Sequence, residues 1–173
     1  SSWASAQSLE NQRLDAELEV MGDCKVRADI VDSGDLSNRG HRYSYAATAD
    51  IAVWPGERDV TWQAHWSGTT ERDKPIEQTG DWRALYRMAT NCYDFSGSAE
   101  GTLDKTEYGF SVTDLAICEN ECPSKGKVVA HWEGRRKDRE LSVEFDGSSV
   151  AKVTGWSGRV FDVDMICSPA SAK

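Results

Sequence analysis

The chain has 173 residues, of which 39% are apolar and 28% charged, and its formal net charge is −9 at pH 7. That length suits one domain over residues 1–173 with enough apolar material for a core, which excludes an intrinsically disordered chain. The acidic balance would repel phosphate backbones and argues against nucleic acid as a partner, and no run reaches the ~18 apolar residues of a membrane-spanning helix.

The chain opens Ser1-Ser2-Trp3 without methionine, which is the look of a processed or trimmed start. Between Ala4 and Leu18, alanine, leucine, glutamate, glutamine and arginine are good helix formers, so a short N-terminal helix is one expectation there. The competing one is a strand. Leu14, Ala16, Leu18 and Val20 alternate with Asp15, Glu17 and Glu19, and after a break at Gly22-Asp23 the alternation resumes with Val26, Ala28 and Ile30. Period two is strand behaviour.

Beyond this point the pattern is strand throughout. Tyr43, Tyr45, Ala47, Ala49, Ile51 and Val53 line one face of a long strand ended by Pro55-Gly56, and Val60, Trp62, Ala64 and Trp66 line the next. Further strands are predicted at 82–88, 93–103, 108–117, 127–133, 140–145, 150–154 and 159–166. Ser96-Gly97, Asp146-Gly147 and Ser157-Gly158 supply turn signals between them. About ten short-connected strands of this kind predict an antiparallel β-sandwich, with a flattened β-barrel as the alternative.

The sequence also echoes itself. Ala64-His65-Trp66-Ser67-Gly68 returns as Ala130-His131-Trp132-Glu133-Gly134. Phe95-Ser96-Gly97-Ser98 returns as Phe145-Asp146-Gly147-Ser148, and Phe110 leading to Cys118 as Phe161 leading to Cys167. These echoes predict a duplicated β-meander, residues 60–118 and 126–167, with an insertion in the first copy at 73–91.

The five cysteines, Cys24, Cys92, Cys118, Cys122 and Cys167, sit among turn residues rather than in ligand spacings, so oxidation fits better than zinc. A Cys122 to Cys167 bridge would tie the second meander's first strand to its last and close a loop of roughly 45 residues, for about 4 kcal/mol in the loop-entropy account. Cys118 would then take Cys92 and leave Cys24 free. Bridges imply an oxidising compartment, and with no Asn-x-Ser/Thr acceptor present a bacterial periplasm, outer surface or medium is expected. The polar stretch Ser1 to Gln12 would suit the tether of a lipid-anchored protein.

No catalytic motif is visible, so no enzyme and no cofactor are expected. The histidines are His41, His65 and His131, with no Gly-x-Ser-x-Gly elbow beside them. His65 and His131 occupy matching places in the echo and are the weak candidates for a metal pair, although no HxH or HExxH spacing accompanies them. Asp32-Ser33-Gly34-Asp35 and Asp162-Val163-Asp164 read as solvated turns rather than calcium loops. Of the seven tryptophans, Trp62, Trp66, Trp82 and Trp132 fall on the apolar parity of their strands and are expected in the core. Trp54 and Trp156 fall outside it and are the candidate ligand-binding residues. The function expected is an exported, non-catalytic module that binds a protein or neutral glycan; the alternative is a hydrolase or small-ligand barrel with a site built from dispersed residues.

Overall fold

In the computed structural model the described residues are 9–22, 24–36, 41–69, 74–119, 121–133 and 137–167. They form eleven strands: β1 (Leu9–Gly22), β2 (Lys25–Leu36), β3 (His41–Trp54), β4 (Glu57–Thr69), β5 (Pro75–Arg87), β6 (Cys92–Leu103), β7 (Thr106–Cys118), β8 (Lys125–Trp132), β9 (Arg139–Phe145), β10 (Val150–Thr154) and β11 (Val160–Asp164). All belong to one antiparallel sheet whose spatial order is the chain order. The sheet does not close, because β1 and β11 are not paired with each other.

The helix expected near the N-terminus is not present where the chain is described: residues from Leu9 onward are strand. Helix propensity here is overridden by period two, since Leu14, Ala16, Leu18 and Val20 pair with Asp32, Ile30, Ala28 and Val26 of β2. The part of that expectation on Ala4 to Ser8 lies outside the described residues, as do residues 1–8 of the expected tether and Gly134 of the echo. A second difference is β5, which starts at Pro75 rather than at Trp82. Its first half carries Glu77, Gln78, Thr79 and Gly80, a composition that reads as loop until β4 and β6 pair with it on either side.

Because directly opposed residues of antiparallel strands share a face, the registers sort the side chains into rows. One row crosses the whole sheet: Leu18, Ala28, Ala49, Trp62, Trp82, Gly97, Val112, Val128, Val143, Val153 and Phe161. Beside it on the same face runs a row of mostly small residues, including Ala47, Ala64, Gly80, Ala99 and Ala130. The rings lean over these small residues. Trp82 stacks on Phe95 and packs against Phe110, with centroids 5.4 and 5.2 Å apart, and Trp62 reaches Phe95 across β5 at 5.9 Å. The buried apolar residues among those described are correspondingly small: Ala28, Ala47, Ala99, Val112, Ala116, Ala151 and Val153. Trp62, Trp66, Trp82 and Trp132 are half-buried. Gly97 is required here, since its φ of +152° suits glycine and a Cβ at that position would run into the Asp81 carbonyl and the Trp82 ring.

The echoed segments take matching rows. Ala64 and Ala130 share one row, Trp66 and Trp132 a second on the same face, and His65 and His131 a third on the opposite face. Phe95 and Phe145 depart from this strand-for-strand match, because Phe95 lies inside β6 while Phe145 ends β9.

Two cysteine pairs stand at disulfide distance, Cys92 with Cys118 and Cys122 with Cys167, and Cys24 is free and exposed. These are the pairs the strand-end positions suggest. Cys92 and Cys118 face each other across β6 and β7. Cys122, in the β7–β8 connection, meets Cys167 beyond β11, and Gly147 of the β9–β10 turn donates its N–H to the Pro123 carbonyl alongside. Disulfides are compatible with an exported location. Among the described residues no helix is long and apolar enough to cross a membrane.

Candidate functional site

The face opposite the rings is polar, and its most developed part spans β2 to β5. On β3 this face carries Ala46, Thr48, Asp50, Ala52 and Trp54, mostly short side chains that make a floor. Longer neighbours stand on both sides: Lys25, Arg27 and Asp29 from β2, and Thr61, Gln63, His65, Asp81 and Arg83 from β4 and β5. The result is a trough parallel to β3. It consists of three overlapping depressions: about 380 Å³ around Trp54 and Lys25, about 620 Å³ around Arg27, Gln63 and Arg83, and about 360 Å³ around Asp29 and His65. From Ala46 to Trp54 the floor runs roughly 27 Å at the antiparallel strand rise.

Its polar groups are held in place by cross-strand bonds. Arg27 donates from Nε and Nη2 to the two oxygens of Asp50 at 2.8 and 3.0 Å, and Arg83 does the same to Asp59 at 3.0 and 2.7 Å. Gln63 donates its amide to Asp81 at 2.7 Å, and the Thr48 hydroxyl donates to Asp29 at 2.6 Å. Hydrogen bonding to Arg27 holds the Asp50 carboxyl below its usual range, and hydrogen bonding to Arg83 does the same for Asp59. Both therefore stay ionised at neutral pH. Asp29, Thr48, Asp50, Thr61 and Asp81 are exposed along the trough, and an ionised carboxylate keeps acceptor lone pairs beyond those one partner uses.

Comparison with protein-family models, curated proteins and solved structures gives no match.

Of the two tryptophans singled out in the sequence, Trp54 stands at one end of this trough and is 45% exposed. Trp156 is 57% exposed but belongs elsewhere: it lies in the β10–β11 turn, at the other end of the strands, edge-on to Trp132 at 6.2 Å. His65 closes the far end of the trough, with Nδ1 3.2 Å from the Thr79 hydroxyl and Nε2 3.6 Å from Glu77. His131 shares its row and face, but three strands lie between them and its Nε2 meets Glu100 at 3.4 Å. Gly109 makes that contact feasible, because a Cβ there would stand 2.5 Å from both Glu100 and His131. Among the described residues no group of three or more His, Cys, Asp or Glu side chains is placed to hold a metal ion.

The trough residues Arg27, Thr48, Asp50, Asp59, Gln63, Asp81 and Arg83 were not indicated by any sequence motif. The available signal was charge at the polar parity of adjacent strands, which becomes a paired array only when the register is known.

Proposed function

We propose that this chain is an exported, non-catalytic binding module of the bacterial envelope or surface, and that the polar trough over β2 to β5 binds a neutral glycan. The supporting observation is the trough itself. Fixed arginine, amide, carboxylate and hydroxyl groups line an elongated floor with an exposed indole at one end. Sugars offer alternating hydroxyl edges and apolar ring faces, and such a lining matches both. Asp50, held ionised by Arg27 and half exposed, suits acceptance of hydrogen bonds from hydroxyls rather than proton donation in hydrolysis. The sheet is taken to fold over its ring-bearing face as a flattened sandwich. The echoed meanders are read as a duplication, and attachment through a lipid ahead of the polar N-terminal stretch would hold the module at a membrane surface.

A glycan array followed by calorimetric titration tests this reading. A glycan bound by the wild-type chain should bind at least tenfold more weakly to Trp54→Ala, consistent with about 2 kcal/mol for truncating an aromatic anchor. Gln63→Ala should weaken it too, while Trp156→Ala, outside the trough, should not. Absence of any bound glycan, equal binding by Trp54→Ala, or turnover of the bound sugar would each overturn the proposal.

A further inference from the structure

Beyond the trough's β2 wall lies the outer edge of β1, the first strand of the sheet. Among the described residues β1 has β2 as its only neighbour. From Arg13 to Val20 its pairing to β2 runs without a register shift, so the same stretch presents a regular edge outward. Alternate backbone N–H and C=O groups of such an edge have no partner within the sheet.

The side chains along that edge are unusual on both faces. On the ring-bearing face Leu14, Leu18 and Val20 are 63%, 71% and 81% exposed, while Val26, Ala28 and Ile30 on the adjoining strand are buried or half-buried. On the polar face Asp15, Glu17 and Glu19 form an acidic row. Arg13 takes Asp15 at 2.7 Å, Glu19 stands opposite Arg27, and Glu17 stands opposite another carboxylate, Asp29. Like charges directly opposed across strands are unfavourable, and a cation arriving on the outer side of Glu17 would relieve that pair.

These features say what can pair there. A second copy of β1, placed so that apolar residues share a face, would set Asp15, Glu17 and Glu19 against carboxylates. Closure on β11 would do the same, because β11 carries Asp162 and Asp164 on its polar face. β11 is also only five residues long, with Cys167 tethered just beyond it. We infer that β1 accepts an extended segment of another protein in which apolar and basic residues alternate, added antiparallel as a twelfth strand, with its apolar residues over Ala16 and Leu18 and its Lys or Arg beside Glu17 and Glu19. Main-chain hydrogen bonds supply the attachment and the alternating charges fix the register.

The test uses the full chain and a short, blocked, fluorescent peptide alternating valine and lysine, followed by fluorescence anisotropy. The peptide should bind saturably. Methylation of its alternate backbone nitrogens, which keeps every charge, should weaken it at least tenfold, as should Glu17→Lys combined with Glu19→Lys in the protein. A valine–glutamate peptide should not bind, and Trp54→Ala should leave binding of the lysine peptide unchanged. Equal binding of the methylated peptide would reduce the effect to charge alone and overturn the inference. So would a spontaneous cross-link between Leu18→Cys and Phe161→Cys, the two ends of the long row, since β1 would then be closed on β11. A stable dimer abolished by Leu18→Asp would overturn it as well, by giving the edge to a second copy.

Discussion

Asp59 and Arg83 show how single residues shape the polar face. The Asp59 side chain is only 17% exposed, and both its oxygens are engaged by Arg83. A carboxyl whose folded pKa lies below the unfolded value near ~3.9 contributes stability above that value and loses it as the pH falls through the folded one. The pair should thus help the fold at neutral pH and stop helping in acid. Because the Arg83 side chain is 57% exposed and screened by water, its worth is limited to about 1 kcal/mol. Arg83→Met should lower unfolding free energy by about that much at pH 7 and by much less at pH 3, measured by urea denaturation at both. An equal loss at the two pH values would place the effect in lost packing of the arginine stem. This pair also marks a boundary of what the sequence can reveal. The parity of Asp59 and Arg83 is readable from alternation with Val60, Trp62, Trp82 and Ala84, but their meeting depends on the β4–β5 register. Residues 70–74, which lie between those strands in sequence, carry no two-residue turn signal that would set it.

At the scale of strands, alternation between apolar and polar residues was enough to place most of the elements, and the echo of Ala-His-Trp fell on two strands that share three rows. The first half of β5 escaped because Gln78 and Gly80 occupy the apolar parity. Gln78 is there to accept the Tyr108 hydroxyl at 3.1 Å across β6, where Gly101 leaves room for the ring. The cysteines were legible for a simpler reason: strand ends that meet at one pole of a meander put their thiols together. Cys92–Cys118 joins neighbours already hydrogen-bonded, whereas Cys122–Cys167 encloses β8 to β11, whose last two strands have five residues each. Loop entropy gives about 3.5 and 4 kcal/mol for the two bridges, as upper limits. Replacing Cys122 and Cys167 together by Ser should therefore lower stability by up to about 4 kcal/mol and release β10 and β11 first, detectable as loss of amide protection there while β4 to β7 remain protected. Uniform loss across the sheet would show that the bridge stabilises the whole molecule instead.

Among the described residues, every strand pairs only with its neighbours in sequence. Such a sheet resembles a linear array, with stability set by successive interfaces rather than by one global core. Ring contacts join β4 to β7, whereas apolar residues of the edge strands β1 and β11 are exposed. Hydrogen exchange should accordingly rise from the centre outward, slowest in Trp62, Trp82 and Phe110 and fastest in β1; a single exchange rate across all strands would instead indicate one cooperative unit.

The two bridges also divide this array unequally. Residues 92–118 and 122–167 lie inside covalent loops, whereas β1 to β5 lie outside both. If the chain is stretched between its ends, strands come off the β1 side one hydrogen-bond pair at a time, and extension halts at Cys92 with β6 to β11 still looped. Such a pull would lengthen the chain by the reach of five strands and no further, and a reductant would release the rest. The molecule is built as a spring with a stop.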